Sequence, residues 1–211
     1  MNNLYDKEKF SDKYGFGEHK QEAIELLKKT IDILNEFDIK YFIISGTLLG
    51  YVRHKDIIPW DDDIDLMADK TIIEKLPAIY KKYKDELTFI NKENFLIKTC
   101  NKKSSILIKD FYDKYLLNKD DKYYWPFIDI FIFYVHEEKN QIEFFQKLWD
   151  KTFFFPLRQV KFLNINVNIP FFPHYFLTFN YGENYLRTFV SSSYNHKKER
   201  GHGKVEKFIL D

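Results

Sequence analysis

Residues 61–67, with the sequence DDDIDLM, place four carboxylates within five positions of a strongly apolar part of the chain. Residues 57–60, IIPW, precede them, and Ile64, Leu66 and Met67 lie among or after them. The alternation of acid and apolar residues in the second half is typical of a strand with two different faces. The chain must therefore fold so that one core segment carries several acids without exposing its apolar side chains.

The spacing of these acids predicts a metal site. In an extended segment, side chains at alternate positions share a face, so Asp61, Asp63 and Asp65 can converge. Carboxylates so close repel and raise each other's pKa unless a cation joins them, and Mg²⁺ prefers carboxylate oxygens. A solvated acidic turn remains the alternative. A calcium-binding EF-hand loop is excluded, because Leu66 and Ile72 occupy the positions of its glycine and glutamate.

A second candidate acid is Asp129, in the middle of the apolar run 127–135, FIDIFIFYV. This run predicts the strongest strand of the chain. Burying an acid there is costly unless it is paired, hydrogen-bonded or bound to metal. Asp129 is thus a candidate third metal ligand, or a base for an acceptor hydroxyl. The alternative is an acid on the solvent face of an edge strand.

The remaining pattern predicts one α+β (mixed α/β) domain over residues 1–211, with a single mixed sheet flanked by helices. A capping box of Thr71 and Glu74 is expected to open a helix that Pro77 either bends or divides into two pieces. The other predicted elements are helices at 22–37 and 141–153, strands at 41–45, 95–99 and 104–109, a hairpin at 162–169, short helices within 171–190 and a hydrophilic tail from 191.

Composition excludes several classes of partner. The 33 basic and 32 acidic residues give a net charge of +1, which disfavours nucleic acid as a partner. The single cysteine, Cys100, excludes an intramolecular disulfide and fits a reducing compartment, so we expect a cytoplasmic protein. Residues 1–20 lack a signal-peptide pattern. The apolar windows are too short for a transmembrane segment, which needs about 20 residues.

Residues 46–70, GTLLGYVRHKDIIPWDDDIDLMADK, resemble the signature of the LicD-type phosphotransferases, to which fukutin and fukutin-related protein also belong. The FIDIF of residues 127–131 is a second match. The Tyr181-Gly182 pair, downstream of Pro170, is a third. Together these matches extend from about residue 41 to residue 185.

The resemblance implies a nucleotidyltransferase-like fold in which Gly46 and Thr47 open a helix after the first strand. Glycine allows the donor's phosphates to approach the backbone, and a helix N-terminus favours an anion. Arg53 is then a candidate phosphate clamp, since a guanidinium binds phosphate oxygens bidentately. His54 and Lys55 are further candidates for donor binding, with solvated side chains as the alternative.

The same resemblance implies that Asp63 and Asp65 hold Mg²⁺, with Mn²⁺ as a second option. Asp61 or Asp129 would complete the site, and the sequence leaves open which of the two is the ligand and which is the base. All four aspartates are therefore candidate catalytic residues.

The reaction implied is transfer of a phosphorylated alcohol from a CDP-linked donor (a CDP-alcohol) to a hydroxyl of a glycan or sugar acceptor, with release of CMP. Phosphocholine and ribitol phosphate are cargoes known in the family. We expect residues 84–124 to line the cargo pocket, and Tyr123, Tyr124 and Trp125 to cage a choline ammonium or to belong to the core. Two alternatives remain: a nucleotidyltransferase that moves NMP from an NTP, and an inactive nucleotide- or glycan-binding module.

Overall fold

The computed structural model describes residues 15–109, 113–190, 194–201 and 207–209. The α-helices are α1 (Lys20–Glu36), α2 (Ser45–Arg53), α3 (Thr71–Tyr83) and α4 (Pro173–Tyr181). The strands are β1 (Tyr41–Ile43), β2 (Ile64–Asp69), β3 (Leu87–Lys92), β4 (Leu96–Asn101), β5 (Ile106–Leu107), β6 (Tyr124–Trp125), β7 (Phe127–His136), β8 (Gln141–Phe144), β9 (Lys147–Asp150), β10 (Arg158–Phe162), β11 (Ile165–Ile169), β12 (Thr188–Val190), β13 (Tyr194–Asn195), β14 (Arg200–Gly201) and β15 (Lys207–Ile209).

The main sheet has the strand order β1-β2-β7-β4-β3, and β8 and β9 extend it from the far end of β7. Strands β2 and β7 run parallel, whereas their other neighbours in the sheet run antiparallel. The fold is thus the mixed α/β arrangement that the sequence predicts. Because β7 lies between β2 and β4, Asp129 is on a central strand, and the edge-strand alternative for this acid is wrong.

Helix α1 packs on the sheet through a buried stripe that faces β4 and β7. Ala23, Leu27, Ile31 and Leu34 recur at the three- and four-residue spacing of one helix face, and all four are buried. Each large aliphatic side chain in such a stripe contributes about 1.5–3 kcal/mol through removal from water. The predicted helix at 22–37 is confirmed.

Helix α3 begins without the predicted capping box. Lys70 occupies the N-cap position with no side-chain cap, and the Thr71 amide instead donates to Asp69 Oδ1 at 2.9 Å. Pro77 lies inside one continuous helix rather than at a break between two pieces.

The helix predicted at 141–153 is wrong, because this segment forms the hairpin β8–β9 followed by a 3-10 turn, Lys151–Phe153. Phe145 and Gln146 connect the strands with φ of 50° and 59°, as a tight hairpin turn requires. Ile142 and Phe144 alternate with more exposed neighbours and are buried, which is the two-residue period of a strand.

The hairpin predicted at 162–169 is confirmed by β10 and β11, with Ile165, Val167 and Ile169 buried. The strand predicted at 104–109 shrinks to β5, and β3 was not predicted. The short helices expected within 171–190 reduce to α4, a turn at Gly182 and the strand β12. Within the described ranges, no helix has the length and apolar character needed to cross a membrane.

Candidate functional site

An open cleft of about 490 Å³ lies where β2 begins and α2 starts. Its walls come from α2, from residues 58–65, from α4 and β12, and from the segment after β13. The lining residues are Ser45, Gly46, Leu49, Arg53, Ile58, Trp60, Asp61, Asp63, Asp65, Asn180, Tyr181, Thr188, Val190 and His196.

Three carboxylates converge beside this cleft, and two of them, those of Asp63 and Asp65, line it. Asp65 on β2 and Asp129 on β7 are direct neighbours in the parallel register, and Asp63 immediately precedes β2. One oxygen of each carboxylate lies within 4.8 Å of the other two. Asp65 is 8% exposed and Asp129 is 5% exposed, so water screens little of their mutual repulsion.

The pKa values of the buried acids reflect this crowding. Burial and the negative charge of Asp63 raise the pKa of Asp65 well above its usual range. Burial and Asp63 act in the same way on Asp61. Burial also raises the pKa of Asp129, although Lys98 opposes the shift. A set of hard oxygen donors that repel one another fits a divalent cation such as Mg²⁺ or Mn²⁺.

Lys98 on β4 is the cationic partner of Asp129 across the sheet. Its Nζ lies 2.9 Å from Asp129 Oδ1 and 3.3 Å from Glu199 Oε1, and the residue is only 3% exposed. The ammonium also sits 3.9 Å from the centroid of the Phe127 ring. Sequence reasoning missed Lys98, although a lone lysine inside the predicted strand 95–99 was a usable signal.

His196 enters the site from the predicted hydrophilic tail, where it packs against Asp62 and Asp63 instead of facing solvent. Its Nδ1 lies 2.7 Å from Asp62 Oδ1, and its backbone N–H donates to Asp62 Oδ2 at 3.0 Å. Its Nε2 lies 3.2 Å from Asp63 Oδ2. Burial opposes a charged imidazole, but the charges of Asp63 and Asp62 prevail and raise the pKa of His196 to about 9.

Gly46 and Thr47 form the first turn of α2, as the resemblance implies. Gly46 faces Asp61 so closely that a Cβ there would lie 2.5 Å from Asp61 Oδ2. Thr47 is buried, and its Oγ1 accepts a hydrogen bond from the Asp65 backbone N–H at 2.8 Å. Thr47 therefore fixes the start of β2, and Gly46 makes room for the Asp61 carboxylate.

Replacing Gly46 by alanine is expected to reduce activity about 10- to 100-fold, because the new methyl group must displace the Asp61 carboxylate. The measurement is the steady-state rate of the transfer reaction that the resemblance implies, with circular dichroism and thermal unfolding recorded in parallel. Full activity in a folded Gly46→Ala variant would show that catalysis does not depend on the position of the Asp61 carboxylate.

Arg53 and His54 lie at the end of α2 beside the cleft. Arg53 Nη1 donates to the carbonyls of Tyr185 at 3.0 Å and Thr188 at 2.7 Å, which fixes the guanidinium on the cleft wall. His54 packs edge-on against Trp60. Burial and the charge of Arg53 lower the pKa of His54 to about 4, so the ring is neutral at neutral pH.

Two other predicted features lie away from the cleft. Lys55 is exposed, and its Nζ sits 5.1 Å from the centroid of the Tyr51 ring rather than in the cleft wall. Tyr123 and Trp125 are buried in the core, which excludes them from an open choline cage. No described residue between 84 and 124 lines the cleft.

Comparison with known proteins identifies the family of the chain. The family model described as LicD/FKTN/FKRP, nucleotidyltransferase domain, matches residues 38–171. An uncharacterized protein of Rickettsia typhi is 34% identical over 157 residues, which cover 71% of this chain and 42% of that protein. Human ribitol 5-phosphate transferase FKRP is 43% identical over 42 residues, covering 20% of this chain and 8% of FKRP.

Lipopolysaccharide cholinephosphotransferase LicD of Haemophilus influenzae is 50% identical over 48 residues, covering 23% of this chain and 18% of the relative. The chain spans less than half the length of the curated relatives that it matches. The family model nevertheless covers most of the chain, including the strands β2 and β7 that carry Asp65 and Asp129. The chain therefore belongs to the LicD/FKTN/FKRP family and carries its nucleotidyltransferase domain.

Proposed function

We propose that the protein is a metal-dependent phosphotransferase that moves a phosphorylated alcohol from a CDP-linked donor to a glycan hydroxyl and releases CMP. The observation that carries this proposal is the convergence of Asp63, Asp65 and Asp129, of which Asp63 and Asp65 line an open cleft. Two relatives support the reaction class, since one is named a ribitol 5-phosphate transferase and the other a cholinephosphotransferase. Because these relatives carry different alcohols, they leave the cargo to experiment.

In this proposal Asp63, Asp65 and Asp129 hold the divalent cation. A bound Mg²⁺ or Mn²⁺ would neutralise negative charge on the donor's phosphates. The grouping of oxygens favours Asp129 as the third ligand, since it lies within 4.8 Å of the other two. Asp61 lines the same cleft outside this group, and we assign it the role of base that accepts the proton of the acceptor hydroxyl.

The donor's phosphates would bind between Arg53 and the first turn of α2. The guanidinium of Arg53 lines the cleft and is held in place by two carbonyls, so a positive charge stands at a fixed position in the cleft wall. The amide of Gly46 at the start of α2 lies in the cleft wall, where the helix N-terminus favours an anion. Trp60 adds an apolar wall on the same side.

The test incubates the purified protein and Mg²⁺ with CDP-choline, CDP-ribitol, CDP-glycerol, CDP-ethanolamine or each NTP, together with a mixed glycan pool. Mass spectrometry follows CMP, pyrophosphate and the modified glycan. We expect CMP and a phospho-alcohol adduct from one CDP-alcohol, with both lost in Asp63→Asn. The exposed Asp85→Asn is the matched control, because it changes the same side chain outside the cleft.

Pyrophosphate release from an NTP, with NMP on the acceptor, would instead assign the cleft to nucleotidyl transfer. Calorimetry with CDP-alcohols and Mg²⁺ distinguishes two causes of absent turnover. Binding without turnover indicates that the glycan pool lacks the acceptor, whereas absence of binding indicates that the protein does not use these donors. Absence of both turnover and CDP-alcohol binding would reject the proposed function.

A further inference from the structure

We propose that His196 is a nitrogen ligand of the divalent cation at Asp63, delivered to the site by the returning segment 194–201. This inference rests on the proposed metal-dependent function and adds to it a ligand from outside residues 38–171, the part that the family model matches. Asp63 and His196 would then both be ligands of the cation.

The first support is the way in which Asp62 holds the histidine. Asp62 is buried, and both of its carboxylate oxygens contact His196. Oδ2 accepts a hydrogen bond from the His196 backbone N–H, and Oδ1 faces the ring atom Nδ1. This arrangement leaves Nε2 as the ring atom that points to Asp63. Histidines that bind metals characteristically donate their other ring N–H to a carboxylate, which fixes the tautomer and the ring orientation. Asp62 is placed to serve as that carboxylate.

The second support is the spacing between His196 Nε2 and Asp63 Oδ2, which is 3.2 Å. Two ligands bound about 2.1 Å from the same ion, at a right angle, lie about 3.0 Å apart. The observed separation is that of an Nε2–H···O ion pair, and it is also close to that of neighbouring ligands of one ion. Binding of the cation would therefore replace the Nε2 proton, which is released to water, while the Nδ1 proton stays hydrogen-bonded to Asp62. Asp63 also belongs to both groups of ligand atoms, one with Asp65 and Asp129 and the other with Asp62 and His196.

The third support is that the segment is anchored on both sides of the histidine. Strands β13 and β14 pair around it through Tyr194 and Gly201. Glu199 binds Lys98, which itself binds Asp129, so the segment is tied to the opposite side of the acidic group. A ligand must be held by its surroundings to bind a metal well, and these contacts supply that support.

A nitrogen ligand changes the metal preference of the site. Imidazole favours transition ions over Mg²⁺, whereas an all-carboxylate site suits Mg²⁺ and Mn²⁺ alike. We therefore expect the intact protein to bind Mn²⁺ more tightly than Mg²⁺, and this preference to shrink when His196 is replaced.

The experiment uses Mn²⁺ as the probe and electron spin-echo envelope modulation as the readout. The intact protein with one equivalent of Mn²⁺ is expected to show ¹⁴N modulation, which converts to a ¹⁵N pattern when its histidines are ¹⁵N-labelled. His196→Gln should abolish the modulation and weaken Mn²⁺ binding about 10- to 100-fold. His136→Gln is the matched control, because His136 pairs with Glu143 at the far end of β7.

A second variant, Asp62→Asn, keeps the imidazole but removes the carboxylate that orients it. We expect Mn²⁺ binding to weaken about 10-fold or more and the nitrogen modulation to decrease. Mn²⁺ bound by the intact protein without histidine nitrogen modulation overturns the inference and leaves the proposed function standing. Failure of the intact protein to bind Mn²⁺ or Mg²⁺ overturns both, and circular dichroism of each variant shows whether it is folded.

Discussion

Replacing Asp65 by asparagine is expected to reduce transfer at least about 1000-fold and, in the absence of divalent cations, to make the protein more stable. The loss of rate corresponds to about 4 kcal/mol of transition-state stabilisation, which is the scale of a lost metal ligand. The gain in stability has an electrostatic cause. Burial and the charges of Asp63 and Asp129 oppose ionisation of Asp65, and asparagine keeps its shape without its charge.

Urea unfolding in EDTA, together with transfer assays in saturating Mg²⁺, measures both effects. We expect the free energy of unfolding of Asp65→Asn to exceed that of the unmodified protein by about 1 kcal/mol, as is common where function maintains a strained site. The exposed Asp85→Asn should leave both quantities unchanged. If Asp65→Asn is less stable than the unmodified protein in EDTA, the electrostatic explanation is wrong. If the variant retains transfer activity in Mg²⁺, Asp65 is not a metal ligand.

The largest loss of stability is expected from Lys98→Met. Lys98 is buried between Asp129 and Glu199, so its removal leaves Asp129 without this cation inside the protein, whereas Glu199 keeps Lys92 at 4.0 Å. Breaking a buried ion pair by removing one partner costs about 3–5 kcal/mol. Methionine has a similar apolar stem to pack over Phe127. The decrease in the free energy of unfolding should therefore reflect the lost charge rather than a change in side-chain volume.

The unfolding free energies of Lys98→Met, Asp129→Asn and the double variant form a thermodynamic cycle. We expect the double variant to be more stable than Lys98→Met alone, because it no longer buries the Asp129 charge without a partner. Lys81→Met, at an exposed position, is the matched control and should change stability by less than about 0.5 kcal/mol. A double variant as unstable as the sum of the single changes would mean that the two side chains do not interact.

Local pattern was sufficient for the strands that build the site and insufficient for the hairpin β8–β9. Nine consecutive apolar and acidic positions at 127–135 have few alternatives to a central strand. In residues 141–153, however, Phe144, Phe145 and Trp149 fit a helix face as well as a strand. Short apolar runs of this kind are ambiguous, and the neighbouring edge of β7 decides the outcome.

The same distinction separates the site residues that were predicted from those that were missed. The sequence singles out Asp63, Asp65 and Asp129 because an acid in an apolar strand is costly to bury unless it is paired or bound to a metal. Lys98 is likewise a charged residue in an apolar strand. Pairing Asp129 of the predicted strand 127–135 with the lysine of the predicted strand 95–99 would have identified it. His196 gave no such signal, because its neighbours HKKER are polar and its partner Asp62 is 134 positions away.

Trp60 gives the cleft an optical reporter of its own. The chain has three tryptophans, and Trp125 and Trp149 are enclosed in the core. Trp60 forms part of the cleft wall, with its indole N–H bound to the Val190 carbonyl. If the proposed donor binds in this cleft, we expect it to change the polarity around this largely buried indole and therefore its emission. Arrival of a donor can thus be followed by intrinsic fluorescence in real time, with unlabelled protein and without waiting for turnover.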